Sequence, residues 1–218
     1  MTRLLIAGAT GLVGSRALAS ALLDPRIAQV VAPTRRPLPA HEKLVNPIVS
    51  GDDLQPDAAW WSVDGALCAI GTTRARAGSA AAFRAVDLDH ALAIARNVRR
   101  GGAGRFALTS SMGADSRSPF LYTRTKGELE AAITALGFES LTIVRPGLLE
   151  GQRSERRALE AVTGIILRAA RPVLPLWARP SPAATVAAIL VEAAVGGAPG
   201  RHIVGSAEIA AMAARERI

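Results

Sequence analysis

Leu4-Leu5-Ile6-Ala7-Gly8-Ala9-Thr10-Gly11-Leu12-Val13-Gly14 is an apolar run that ends in three glycines, each three residues from the next. Beyond it, Ser15-Arg16-Ala17-Leu18-Ala19-Ser20-Ala21-Leu22-Leu23 repeats its apolar residues at helical spacing. The stretch reads as strand, tight turn, helix. Gly8 can take the positive φ that such a turn needs. Gly11 has no Cβ, so an anion can approach the backbone, and Gly14 lets the helix lie close to the strand. A diphosphate placed there meets free N–H groups at the positive end of a helix dipole. The alternative is a tight strand-to-helix turn that binds nothing.

Working outward, the 218 residues suffice for one α/β domain over 1–218, with a small extension on its substrate side at 151–200. Half the residues are hydrophobic and 20% are charged, which predicts a packed core. Aromatics make up only 4%, so Ala, Leu, Val and Ile must fill that core. The single cysteine, Cys68, excludes an internal disulfide and a cysteine-rich metal site, and its apolar surroundings make it a core thiol. His41, His90 and His202 lie too far apart for a metal-binding motif. Met1-Thr2-Arg3 runs directly into the first strand, so no leader is expected. The longest apolar run, 183–195, is too short to cross a bilayer and carries Glu192. A cytoplasmic protein is the expectation. The net charge of +8 comes from arginines spread along the whole chain, with no basic arm and no interleaved aromatics, so no nucleic-acid partner is expected. Of 26 basic residues only Lys43 and Lys126 are lysines. A lysine retained in such a chain marks a task that a guanidinium performs poorly.

The second strand is predicted at 28–33 and ends in Thr34-Arg35-Arg36-Pro37. Domains that prefer NAD place a carboxylate near this point to accept from the ribose 2′-hydroxyl. Two arginines stand here instead. A guanidinium pairs bidentately with a 2′-phosphate and stacks on adenine, so NADP(H) is favoured over NAD(H). The alternative for Arg35 and Arg36 is solvation in a loop. Residues 46–50 read as the third strand. Asp52 then serves either as acceptor for an adenine amino group or as a cap on the next helix. Trp60 and Trp61 read as packing residues. The fourth strand, 65–70, ends at Gly71-Thr72-Thr73-Arg74, a loop that faces the crevice by the strand-end rule for open parallel sheets. Ile70, Gly71 and Thr72 would line the cofactor there, and Arg74 and Arg76 are loop residues that either reach phosphate or substrate or, the favoured reading, are solvated. A single helix is predicted over 79–99, with Ala82, Phe83, Val86, Leu92, Ala95 and Val98 as its apolar positions, stopped by Gly101-Gly102. A fifth strand at 105–109 leads into Ser110-Ser111-Met112-Gly113. A helix follows over 119–136, then a sixth strand at 138–144 closed by Arg145-Pro146-Gly147. The fold class is α/β: a Rossmann-type doubly wound parallel sheet in the order 3-2-1-4-5-6, with a short seventh strand at 201–204.

Tyr122 is the only tyrosine, and it stands four residues before Lys126, so on a helix the two share a face. Ser110 and Ser111 end the preceding strand on the crevice side. Folding does not require these three residue types together, and chemistry supplies a reason. A phenol titrates near pH 10 in water, and a nearby ammonium favours the phenolate. Such a tyrosine exchanges a proton with a carbonyl or alcohol oxygen, a serine hydroxyl hydrogen-bonds the same oxygen, and the lysine also reaches the nicotinamide ribose.

These residues resemble the extended and atypical branches of the short-chain dehydrogenase/reductase superfamily. The chain is most similar to the Tat-interacting protein 2 (oxidoreductase) family and its bacterial NAD(P)H-binding relatives. The likeness rests on an ordered set, Gly71-Thr72-Thr73-Arg74, Val86-Asp87, Ser110-Ser111-x-Gly113-Ala114-Asp115, Phe120-Leu121-Tyr122-x-x-x-Lys126-Gly127-Glu128 and Arg145-Pro146-Gly147, and covers about residues 3–150. It implies Thr10, Gly11, Leu12 and Val13 at the diphosphate, Arg35 and Arg36 at the 2′-phosphate, and Ile70 and Gly71 along the cofactor. Tyr122 becomes the proton donor or acceptor and Lys126 its partner. Ser111 is preferred to Ser110 as the substrate serine, with a one-residue slip left open. Pro146, Gly147 and Leu148 would border the nicotinamide. The asparagine that the superfamily's classical branch uses as a fourth catalytic residue has no counterpart, and Asn97 does not match it. In this superfamily the segment after Gly151 supplies a lid; Leu174, Leu176 and Trp177 line an apolar pocket or simply pack. A homodimer through exposed helices follows from the likeness alone.

Three functions fit these observations. The first is an NADPH-dependent oxidoreductase acting on a small carbonyl or alcohol. The second is a non-catalytic NADP(H)-binding protein with a regulatory or interaction role. The third is an NAD-dependent sugar-nucleotide epimerase or dehydratase, against which the Arg35-Arg36 pair and the short tail both speak.

Overall fold

A computed structural model describes residues 1–50, 53–150, 175 and 179–215. The opening apolar run is β1 (Thr2–Ala7), and the residues past its glycines are α1 (Leu12–Leu23). Then follow β2 (Ile27–Val31), β3 (Leu44–Val45), β4 (Gly65–Cys68), the one-turn helix α2 (Arg74–Ala77) and α3 (Ala80–Arg84). A π-helical turn, Ala85–His90, joins α3 to α4 (Ala91–Arg100). β5 (Arg105–Thr109), α5 (Leu121–Thr134) and β6 (Ser140–Arg145) come next. The described remainder is β7 (Leu149–Glu150), β8 (Ser181–Pro182), α6 (Ala183–Gly196), β9 (Gly200–Gly205) and α7 (Ser206–Arg215).

Seven parallel strands form one sheet in the order β3-β2-β1-β4-β5-β6-β9. This is the predicted Rossmann-type order with its seventh strand at the far edge. The chain winds outward from β1 to β3, returns beside β1, and winds the other way, so the crevice opens at the C-terminal ends of β1 and β4. Parallel strands covered on both faces read as continuous apolar runs; Leu4, Leu5 and Ile6 are all fully buried. One core joins the sheet to α1 and α6 through Val13, Ala17, Val186 and Leu190. The other joins it to α4 and α5 through Ile94, Val98, Leu129 and Ile133. Phe106 and Phe138 stack in this second core with ring centroids 4.8 Å apart.

Local chemistry accounts for the departures from the sequence reading. The third strand is Leu44–Val45 rather than 46–50, because Pro47 has no N–H for a ladder; Ile48 makes only an isolated bridge to Thr34. The predicted helix 79–99 is three segments, preceded by a fourth. Thr73 accepts from the Arg76 N–H and caps α2, placing Arg74 and Arg76 on a helix rather than in a loop, and Gly78 ends it at φ +82°. Ser79 accepts from the Ala82 N–H and starts α3. Val86, predicted to face the core, is 37% exposed, and its neighbour Asp87 is fully buried. The π turn shifts the inward face by one position there. Of the 151–200 segment read as a lid, residues 183–196 form α6, packed on the sheet beside α1. Residues 151–174 and 176–178, with Leu174, Leu176 and Trp177, lie outside the described residues, as does Asp52.

Candidate active site

The turn after β1 is built as its glycines predict. Gly8 takes φ +84°, and its carbonyl accepts from the Gly11 N–H at 2.9 Å. A Cβ on Gly14 would stand 2.0 Å from the Gly8 oxygen, so only glycine lets α1 come this near. Gly11 caps α1 without a side-chain hydrogen bond, and the first turn holds no acidic residue. The leading N–H groups of α1, at the C-terminal end of β1, could therefore receive an anion. Thr10 and Gly11 are exposed and Leu12 half-buried, whereas Val13 is buried, so Val13 can offer a ligand only its backbone.

Beyond β2, Arg35 and Arg36 are both exposed, and neither has an ion-pair partner among the described residues. The Thr34 hydroxyl donates to the Arg36 carbonyl at 2.7 Å and shapes the loop that carries them. The loop after β4 brings Ile70, Gly71 and Thr72 to the opposite wall, with Ile70 and Thr72 half-buried and Gly71 exposed.

Tyr122 and Lys126 sit on successive turns of α5. Tyr122 is 43% exposed, and its ring lies 5.8 Å from that of buried Phe83 on α3. Its phenol has no hydrogen-bond partner among the described residues, which leaves it free for a substrate oxygen. Lys126 is buried, with its Nζ 2.7 Å from Asp87 Oδ1. The Thr72 N–H donates to the other oxygen of Asp87 at 2.8 Å. A Cβ on Gly71 would stand 3.5 Å from Asp87 Oδ1 and 3.7 Å from Lys126 Nζ, so the pair lies directly behind the exposed backbone of Gly71.

The two serines separate. Ser110 is buried, and its hydroxyl donates to Glu130 Oε1 at 2.5 Å. Glu130 also takes a two-pronged contact from Arg145, Nε at 2.9 Å and Nη2 at 2.5 Å. Ser111 is half-buried, and its hydroxyl donates only to the Met112 carbonyl, at 3.1 Å. The Met112 N–H donates to the Pro146 carbonyl at 2.9 Å, which ties the serine loop to Pro146-Gly147-Leu148. Pro146 is buried, Gly147 half-buried and Leu148 61% exposed. Asn97 is buried within α4, where its side-chain oxygen accepts from Arg100 at 2.6 Å. Beneath the site, burial pushes the Cys68 thiol up to about 11, partly offset by a hydrogen bond from the Ile70 N–H and by the Lys126 charge.

Two groups escaped sequence reasoning. Asp87 was noticed only as half of a Val-Asp motif, and Glu130 not at all. Glu130 carried a local signal: it continues the four-residue spacing of Tyr122 and Lys126 and so lies on the same helix face. Asp87 carried none, because its partners are 15 and 39 residues away and a π turn decides which way it points.

No protein-family model matches the chain. Its sequence is 36% identical over 190 residues to "Protein FMP52, mitochondrial" of Coccidioides immitis, covering 79% of this chain and 77% of that one. It is 40% identical over 163 residues to "Protein FMP52, mitochondrial" of Candida albicans, covering 71% and 70%. Among solved structures it is similar to the Bordetella bronchiseptica enzyme WbmG in complex with NAD, with a TM-score of 0.70, 16% identity, and coverage of 95% of this chain and 73% of that one. A short chain dehydrogenase family protein from Francisella tularensis matches with a TM-score of 0.66 and 14% identity, covering 96% and 99%. The fold is thus that of the nicotinamide-dependent dehydrogenases and epimerases. The mitochondrial names of the fungal relatives overturn the expectation of a cytoplasmic protein. No helix among the described residues is long and apolar enough to cross a membrane.

Proposed function

Since the chain belongs to the FMP52 family, an atypical branch of the short-chain dehydrogenase/reductase superfamily, we propose that it is an NADPH-dependent oxidoreductase that interconverts a small carbonyl compound and its alcohol. The observation that carries this reading is the Tyr122–Lys126 pair, with a free phenol at the crevice mouth and a buried ammonium one turn below it. The uncapped start of α1 fits a diphosphate, and Arg35 and Arg36, without an ion-pair partner among the described residues, fit a 2′-phosphate better than a bare hydroxyl. When bound, the nicotinamide supplies or takes the hydride. Tyr122 gives its phenolic proton to the substrate oxygen during reduction and recovers it during oxidation. Ser111, with its hydroxyl near the surface, hydrogen-bonds that oxygen, and Ser110 holds its loop through Glu130. Lys126 supplies positive charge beside the phenol and a donor for the ribose. Thr10, Gly11, Leu12 and Val13 hold the diphosphate, while Ile70, Gly71, Thr72, Pro146, Gly147 and Leu148 border the nicotinamide half.

Titration with NADPH and NADH, followed by nicotinamide fluorescence, tests the cofactor. The expected result is tighter NADPH binding, weakened about tenfold by Arg35→Ala with little change for NADH. Equal or better NADH binding overturns the 2′-phosphate assignment. For the chemistry, Tyr122→Phe should cut turnover by roughly 10²–10⁴ while NADPH affinity holds; undiminished turnover overturns the catalytic reading.

A further inference from the structure

Two side-by-side segments meet in rungs at the site. Phe83 on α3 packs on Tyr122, and Asp87, four residues on, pairs with Lys126, four residues after Tyr122. Arg84, next to Phe83, reaches past Lys126 to pair with Glu128 at 2.6 Å. Every group of the proton-handling pair thus has its own support on the neighbouring segment. The Asp87 rung exists because the chain is wound as a π turn over Ala85–His90, which exposes Val86 and buries a carboxylate. A buried carboxylate left unpaired is costly, and Asp87 is spent on two partners that both belong to the crevice wall. Its Oδ1 faces the Lys126 ammonium and its Oδ2 accepts the Thr72 N–H.

We propose that Asp87 is a positioning residue: its carboxylate locks the Lys126 ammonium to the Gly71-Thr72 backbone and so fixes the wall that receives the ribose on the nicotinamide side. This rests on the cofactor reading above. The Asp87 carboxylate holds the ammonium as an ion pair at 2.7 Å, with no hydrogen bond to Oδ1 among the described residues, and so fixes where the charge sits rather than how its donors point. The carboxylate also balances the charge of a lysine that is almost wholly withdrawn from water. The adenine half of the cofactor, received by Arg35, Arg36 and the start of α1, owes nothing to Asp87.

That asymmetry gives the test. NADPH and adenosine 2′,5′-bisphosphate, which lacks the nicotinamide half, are titrated against the wild type, Asp87→Asn, Lys126→Met and the double variant, with thermal melting as a control. Asp87→Asn keeps the size and an acceptor for Thr72 but removes the charge. It should weaken NADPH about tenfold or more and leave the bisphosphate unchanged. The double variant should bind NADPH no more weakly than Lys126→Met, because Asp87 acts through the lysine. Wild-type affinity in Asp87→Asn, equal loss for both ligands, or losses that add in the double variant each overturn the proposal. If Asp87→Asn does not fold, Lys126→Met against the double variant, which buries no lone charge, decides: equal NADPH affinity supports the proposal and a further loss overturns it. A wild type that binds neither ligand overturns the cofactor reading and this inference together, whereas binding that is indifferent to Asp87 overturns this inference alone.

Discussion

On the α1 side the crevice presents backbone: a glycine turn, the N–H groups of one helix and a half-buried Leu12. On the α5 side it is built from side chains: a phenol backed by Phe83, an ammonium by Asp87, and a serine loop anchored from behind by Ser110 on Glu130. The first wall is assembled within eleven consecutive residues. The second draws on β4, α3, the π turn, β5, α5 and β6. A backbone site is specified locally, by what side chains are absent. A side-chain site is specified by partners that only the finished fold brings together, and it stays together only if their charges are matched.

Changes that should touch one wall and spare the other measure this difference. The largest stability effect is expected at Gly14. A Cβ there meets the Gly8 carbonyl oxygen at 2.0 Å and its carbon at 2.7 Å, both backbone atoms that cannot swing aside, so Gly14→Ala should cost about 3 kcal/mol and abolish nucleotide binding, read by urea unfolding and fluorescence titration. Survival of both would mean that the turn is not rigid. Next is Glu130→Gln, which leaves the part-buried Arg145 without its counter-charge and loosens Ser110. About 2 kcal/mol of stability should be lost, discounted because Arg145 is 28% exposed, and nucleotide affinity should be spared. Loss of affinity there would show the two walls to be coupled. The smallest effect is a lack of one. With its thiol pushed up to about 11, Cys68 should resist alkylation of the native protein near pH 8, and labelling should accelerate as pH rises toward that value. Fast labelling at pH 8 would reveal opening of the sheet beneath the site.

The same contrast explains what the sequence made legible. Leu4–Gly14, the strand at 105–109, the strand expected at 65–70 and found at Gly65–Cys68, and the Tyr122–Lys126 spacing are short-range patterns, and the structure contains each of them. Ser110 and Ser111 look alike in the sequence and differ only in the fold, where Glu130, twenty residues away, holds Ser110. Val86 and Asp87 exchanged places because periodicity assumes a uniform 3.6-residue turn. One wider turn reverses inside and outside, and the favourable pairing at Lys126 sustains it.

Leu149–Glu150 and Ser181–Pro182 lie paired, and the Ser181 hydroxyl accepts from the Gly147 N–H at 3.2 Å. The connection from β7 to β8 therefore starts and ends at a single clasp. With both ends pinned, doubling such an excursion adds only about 0.6 kcal/mol of closure entropy. A connection closed in this way can change in length at small cost to the sheet and helices on either side of it.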